Sequence, residues 1–202
     1  MRLYHSPTTP FGRKVMVALM ETGQAGDVEV VTVAGTPMDV GTMPVAQNPL
    51  GKIPALELDD GPALYDSRVI CRFLDDRAGG KLYPPAPRLW QTLTLEATAD
   101  GMLDAAILMV YEARTRPEDK RFDGWVDAQW SKVARALDAL EGRWISHLNG
   151  PLDMGQIAIG CTLSYLDFRH GVREWRHNRP ALASWYAGFS QRDSMAGTEP
   201  KG

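Results

Sequence analysis

The chain has 202 residues and a formal charge of −3, from 22 basic and 25 acidic side chains, with 44% apolar and 23% charged residues. A chain of this length buries a substantial core without disulfides or metals, and its charge balance gives no electrostatic case for a nucleic-acid surface or a polybasic membrane patch. The opening Met1-Arg2-Leu3-Tyr4-His5-Ser6 is too short and polar for a signal peptide, and no apolar run approaches membrane-spanning length, so a cytoplasmic protein without a membrane partner is expected. Cys71 and Cys161 form no CxxC and no zinc spacing, and His5, His147, His170 and His177 are scattered, so no metal site is expected.

The first 78 residues predict alternating strands and helices. Arg2–His5 is a short strand. Pro10 opens a helix, where its fixed φ and missing N–H are tolerated, with Phe11, Val15, Ala18 and Leu19 on one face, and Gly23 ends it. Asp27–Val33 is rich in β-branched residues and predicts a strand. Residues 35–51 are loop-rich, with room for a short helix. Ile53–Leu58 and Pro62–Tyr65 flank the turn signal Asp59-Asp60-Gly61 and predict a hairpin. Asp66 or Ser67 caps a further helix, with Ile70, Phe73 and Leu74 as its apolar face. The order β-α-β-(α)-β-β-α implies a mixed sheet with helices packed on it.

Residues 79–87, dense in Gly and Pro, predict a linker. Beyond it, 88–202 predicts helices only. Residues 88–113 form one long helix with Leu103, Ile107, Val110 and Tyr111 on a side. Val126, Trp130, Val133, Leu137, Leu140 and Trp144 recur at steps of three and four, an amphipathic helix. Residues 153–168 are apolar nearly all round, as a helix buried in a bundle is, and Asp153 with Gln156 has capping-box spacing. Pro180 starts a last helix through Leu182, Trp185, Tyr186 and Phe189.

Four stretches resemble the glutathione S-transferase family over the whole chain: Ser6-Pro7-Thr8-Thr9-Pro10-Phe11; Gln47-Asn48-Pro49-Leu50-Gly51-Lys52-Ile53-Pro54-Ala55-Leu56; Tyr65-Asp66-Ser67-Arg68-Val69-Ile70; and Asp153–Ala158 leading into Tyr165–Arg169. The resemblance implies a thioredoxin-like domain over 1–78 that binds glutathione, and an all-helical bundle over 88–202 that supplies the electrophile pocket. It implies a transferase acting in detoxification, with glutathione as co-substrate, a small hydrophobic electrophile as second substrate, and a homodimer as the assembly.

The same resemblance implies a role for each site residue. Thr9, directly before Pro10-Phe11, stands where the family contacts the glutathione sulfur. A free thiol titrates near ~8.5, so a hydroxyl donor and a helix N-terminus both favour the thiolate. Ser6 and Thr8 are rival donors, and Thr9 can instead be a simple helix cap. Ile53-Pro54 is expected to be cis, freeing the Ile53 backbone to pair with the cysteinyl backbone of glutathione like an added strand; the plainer alternative is a proline that only shapes a turn. Asp66 and Ser67, at a helix start, suit the γ-glutamyl carboxylate, or are an ordinary cap, with Asp66 also able to face the ligand's ammonium group. Asp100, in Ala99-Asp100-Gly101-Met102-Leu103-Asp104, is a candidate for that ammonium across a dimer interface, or a solvated helix charge. Lys52 is placed near a glutathione carboxylate, and Tyr111 near the electrophile. Cys71 and Cys161 read as core residues. A cysteine-dependent reductase or peroxidase, and a non-catalytic ligand-binding protein of the same fold, remain as alternatives.

Overall fold

The computed structural model describes residues 1–200. Its sheet has three strands in the order β2-β1-β3: β1 (Arg2–His5) in the centre, β2 (Glu29–Thr32) parallel to it, and β3 (Ala55–Glu57) antiparallel. Leu3 of β1 pairs with Val30 and Leu56, and both Leu3 and Leu56 are wholly buried. The helices α1 (Pro10–Glu21) and α2 (Ser67–Arg77) pack against this layer and each other, burying Val15, Ala18 and Leu19 on one and Ile70, Cys71 and Leu74 on the other.

Two local expectations are adjusted. Residues 35–51 form turns and no helix. Pro37, Pro44 and Pro49 each lack the N–H a helix needs, and the stretch is closed instead by Asn48, whose Nδ2 donates to the Lys52 carbonyl at 2.8 Å while its Oδ1 accepts from Leu50 N–H at 3.1 Å. The expected partner strand over 62–65 reduces to one bridge, with Leu56 and Leu64 exchanging N–H···O bonds of 2.9 and 2.8 Å. Pro62 has no N–H to give the ladder, and Tyr65 leads straight into the cap of α2.

Residues 78–87 carry neither helix nor strand. The buried Asp75 carboxylate accepts the N–H groups of Lys81, Leu82 and Tyr83 at 2.8, 2.6 and 3.0 Å, and Leu82 C=O accepts Met154 N–H at 2.8 Å. The chain then runs through α3 (Arg88–Thr115), α4 (Asp123–Ala139), a π-helical turn (Leu140–Trp144) into α5 (Ile145–Leu148), then α6 (Met154–His170), α7 (Pro180–Phe189) and α8 (Asp193–Ala196). Every residue of α6 from Met154 to Leu166 is buried, as expected of a helix apolar on all sides. It lies close along α3 because Gly155 has no side chain; a Cβ there would meet Leu95 Cβ at 2.8 Å.

The start of α6 is held by Asp153. Its Oδ1 accepts from Gln156 N–H and the Gln156 side chain accepts Asp153 N–H, a complete capping box. Its Oδ2 takes Thr92 Oγ1 at 2.9 Å, Arg88 Nη2 at 3.1 Å and His147 Nε2 at 2.7 Å, all with Asp153 itself 1% exposed. Replacing Asp153 with alanine removes the cap and leaves Arg88, Thr92 and His147 without their shared acceptor. Destabilisation of about 2–4 kcal/mol is expected, read as a lowered urea midpoint at unchanged slope, with Asp153→Asn, which keeps an Oδ1 acceptor, losing less.

Candidate functional site

The turn after β1 places a polar edge at the N-terminus of α1. Thr9 N–H bonds to Ser6 C=O at 3.0 Å, which closes the turn, and Thr9 takes the N-cap position with Pro10 following at N1. The Thr9 side chain makes no capping bond. Its methyl is turned inward: a Cβ built on Gly12 would lie 2.6 Å from Thr9 Cγ2 and closer still to His5 Nδ1, so only glycine fits under these two side chains. Ser6 and Thr8 hydroxyls bond each other at 3.4 Å, whereas among the described residues the Thr9 hydroxyl has no partner. The first intrahelical bond runs from Arg13 N–H to Thr9 C=O, which leaves the Phe11 and Gly12 N–H groups open at the positive pole of the helix.

The opposite wall is backbone. Ile53-Pro54 is a cis peptide, the β3 ladder begins only at Ala55, and Ile53 N–H and C=O have no partner among the described residues. Tyr65-Asp66 is also cis. Asp66 is the N-cap of α2, its Oδ1 accepting Arg68 N–H at 3.0 Å. Ser67 is 2% exposed and its hydroxyl is unengaged within the described chain.

Behind these two helix starts lies a buried charge cluster. The Lys14 ammonium, on α1, is fully buried and bonds Asp100 Oδ1 at 2.8 Å and Glu96 Oε1 at 3.1 Å, both from α3. Tyr83, in the linker, donates its hydroxyl to Glu96 at 3.1 Å. Asp100 turns its other oxygen to Arg68 Nε at 3.3 Å, and Arg68 Nη2 reaches Asp66 Oδ2 at 3.2 Å. Burial opposes the charge on Lys14, but Glu96 and Asp100 outweigh it and hold the ammonium above its ordinary value. Burial raises Glu96, and burial together with the Asp100 charge raises Asp104, which also senses Lys52, Arg68 and Asp66.

The structure thus gathers Asp66, Ser67 and Asp100 around the start of α2, with the charge of Lys52 reaching Asp104, and Thr8, Thr9, Pro10 and Phe11 at the start of α1. It places Asp100 inside an intrachain ion cluster rather than on an open helix face. Arg68, Asp104, Lys14 and Glu96 join this assembly without having been singled out from the sequence. The available signal was a polar Lys14 on the same stripe of α1 as Phe11, Val15 and Ala18, and Glu96 and Asp100 one turn apart among Leu95, Ala99 and Leu103. Cys71 and Cys161 are both buried, and burial pushes both thiols up, so neither is poised as a nucleophile. A narrow crevice joins Thr8 and Thr9 to Arg13 on α1 and Tyr165 on α6.

Residues 8–77 match the glutathione S-transferase N-terminal domain and residues 123–188 the glutathione S-transferase C-terminal domain. The chain is 33% identical, over 99% of its length and 98% of the relative's, to the uncharacterized GST-like protein YibF of Escherichia coli strain K12. A glutathione transferase family member of Pseudomonas fluorescens Pf-5, solved with bound glutathione, superposes with a TM-score of 0.97 at 45% identity, covering 100% of this chain and 99% of that one. A second structure of a Pf-5 family member, with bound S-(propanoic acid)-glutathione, gives 0.93 at 45% identity and full coverage of both chains.

His5, beneath Thr9, is 9% exposed with Nδ1 unpartnered, and burial pulls its imidazole down to about 4. An unfolded histidine takes up its proton near ~6.5, so between that pH and about 4 the unfolded chain is protonated at His5 and the folded chain is not. Stability therefore falls as pH drops through this window, by about 3 kcal/mol in full. Urea midpoints measured from pH 7 to pH 4.5 are expected to decline in the wild type and to decline less in His5→Phe.

Proposed function

The chain belongs to the glutathione S-transferase family, and on that premise we propose that it is a glutathione transferase whose Thr9 hydroxyl stabilises the thiolate of bound glutathione. The observation that carries this reading is the unengaged Thr9 hydroxyl at the open N-terminus of α1, opposite the unpartnered Ile53 backbone. The glutathione-bound Pf-5 structure, alike along the whole chain, supports the ligand. The cysteinyl backbone pairs with Ile53 beside Pro54. The γ-glutamyl carboxylate sits on the α2 N-terminus with the Ser67 hydroxyl, where the helix dipole favours an anion. Its ammonium group meets the field of Asp66, Asp100 and Asp104. Lys52 serves the glycyl carboxylate, and Thr8, Pro10 and Phe11 wall the sulfur.

Chemically, the thiol loses its proton to solvent as Thr9 Oγ1–H and the open N–H groups of α1 donate toward sulfur. The thiolate then attacks an electrophilic carbon held against the helical half, near Tyr111 and Tyr165; the carbon–sulfur bond forms as a leaving group departs with its bonding pair or, on an activated double bond, as the π pair moves to the neighbouring carbon and takes a proton from solvent. The thioether bound in the second Pf-5 structure supports room for a conjugate beside the sulfur. A cysteine-nucleophile reductase is disfavoured by threonine at position 9 and by the burial of both cysteines. A binding protein without turnover is the second reading, favoured only if the hydroxyl proves idle. We further assign the protein to the cytoplasm, in detoxification, as a two-fold dimer; the exposed Leu50 and Val69, within the glutathione-binding segments, support the pairing. No helix among the described residues is long and apolar enough to cross a membrane.

Calorimetric titration with glutathione is the direct test. Ser67→Ala is expected to weaken binding by about 1.5–3 kcal/mol, the loss of one bond to a charged group, and an unchanged dissociation constant would remove Ser67 from the site. Thr9→Val keeps the shape and the affinity but loses the donor. The near-ultraviolet thiolate absorbance of bound glutathione should then titrate at higher pH, and conjugation at neutral pH should slow in step. A valine variant that ionises its thiol like the wild type returns the protein to the binding-only reading or hands the role to the backbone N–H groups.

A further inference from the structure

The cleft is electrically lopsided. At the α2 end, carboxylates dominate. On the sulfur side the charges are reversed, and they come largely from the helical half. Arg13, in the crevice with Thr9 and Tyr165, is 5% exposed; it donates to Met195 C=O and Thr198 Oγ1, and its Nη1 is buried without a partner. Arg169 follows Tyr165 by one turn of α6, stacks over the Phe168 ring at 3.8 Å, and lies beside the Tyr165 hydroxyl. Tyr111 and the exposed Arg114, one turn apart, share the stripe of α3 that carries Asp100 and Ile107, and their charges reach Tyr165. Among the described residues none of Arg13, Arg114 and Arg169 has a carboxylate partner. By contrast Arg173, Arg176 and Arg179, just beyond α6, each hold an aspartate.

Resting on the glutathione transferase reading, we propose that the second substrate is an anion: an electrophile bearing a carboxylate, taken by the guanidinium groups of Arg169 and Arg114 with the hydroxyls of Tyr165 and Tyr111 as further donors. A guanidinium fork matches a carboxylate in two parallel hydrogen bonds and is less strongly hydrated than an ammonium, so the half-buried Arg169 suits an anion, with the exposed Arg114 adding to the field. Two guanidinium groups in one stretch of wall without an acid repel, and a bound carboxylate relieves that repulsion. Burial, followed by the Arg114 charge, holds Arg169 below its ordinary value, as a cation short of a counter-ion should be. Burial pushes the Tyr165 hydroxyl up to about 12, so it stays protonated and able to donate.

The test compares two glutathione thioethers of one shape and different charge, S-(2-carboxyethyl)glutathione and its amide S-(2-carbamoylethyl)glutathione, by calorimetry on the full chain, with glutathione titrated alongside. The acid is expected to bind at least tenfold more tightly than the amide at low salt, and the ratio to shrink as salt screens the pair. Arg169→Gln and Arg114→Gln should each bring the ratio toward one, and Arg169→Lys should keep part of it. The wild-type ratio decides the matter even where a variant folds poorly. Glutathione binding with equal affinity for acid and amide overturns this inference and leaves the transferase reading standing; no glutathione binding at all overturns both.

Discussion

One buried ammonium group sets the frame of this molecule. Lys14 sits with no exposed surface between α1 and α3, and an isolated charge there would cost several kcal/mol to desolvate. Glu96 and Asp100 offset that cost only if α3 is held at a fixed distance and rotation against α1, because both carboxylates must reach one nitrogen. Tyr83 completes the hydrogen bonding of Glu96 and in doing so pins the linker. The cluster therefore specifies geometry more than it adds stability. Well-packed apolar side chains of similar volume can match such a cluster in stability, but they would not fix where Asp100 points.

That direction matters because Asp100 is shared. Its second oxygen holds Arg68, Arg68 holds Asp66, and Asp66 caps α2. The start of α2, where the anionic end of glutathione is proposed to bind, is thus oriented by a chain of charges that begins in the domain junction. The start of α1 is oriented by packing instead, since Gly12 admits Thr9 and His5 side by side and turns the threonine methyl in. Because α1 carries both Lys14 and this N-terminus, the two ends of the proposed ligand site are fixed by one helix.

What could be read in the residues follows from the range of the interactions involved. Elements built from local signals were legible: the helix from Pro10, the capping box at Asp153 and Gln156, the buried α6, the amphipathic run from Val126 to Leu140, and the Ile53-Pro54 and Asp66-Ser67 motifs. Elements that depend on a partner were not. The strand over 62–65 needed N–H groups that Pro62 lacks, and the short helix within 35–51 lost to Asn48, whose side chain ties the loop locally. The Lys14 cluster joins residues 82 and 86 positions apart, so no spacing rule exposes it; a lysine on an apolar stripe is only a hint that an acid waits elsewhere. Of the two readings of Asp100, a solvated helix charge or a carboxylate for the ligand's ammonium, the first gives way to the ties that Lys14 and Arg68 make to its oxygens.

The distribution of charge also divides the labour between the two halves. Glutathione presents the same groups every time, and the wall that meets it is built mainly from backbone atoms and helix termini, whose positions are set by the fold and hardly by side-chain identity. The wall proposed to meet the second substrate is built from long side chains on α3 and α6, Tyr111, Arg114, Tyr165 and Arg169, on helices tied together by Thr162 to the Ala99 carbonyl and by His170 to the Ala106 carbonyl. A substitution at Tyr111, Arg114 or Arg169 changes the charge or shape of that wall and leaves the core beneath it, where Leu103, Ile157, Leu163 and the buried Tyr165 ring pack, in place. On that proposal selectivity shifts by single residues while the thiol chemistry proposed for Thr9 stays in place, because the two walls rest on different parts of the fold.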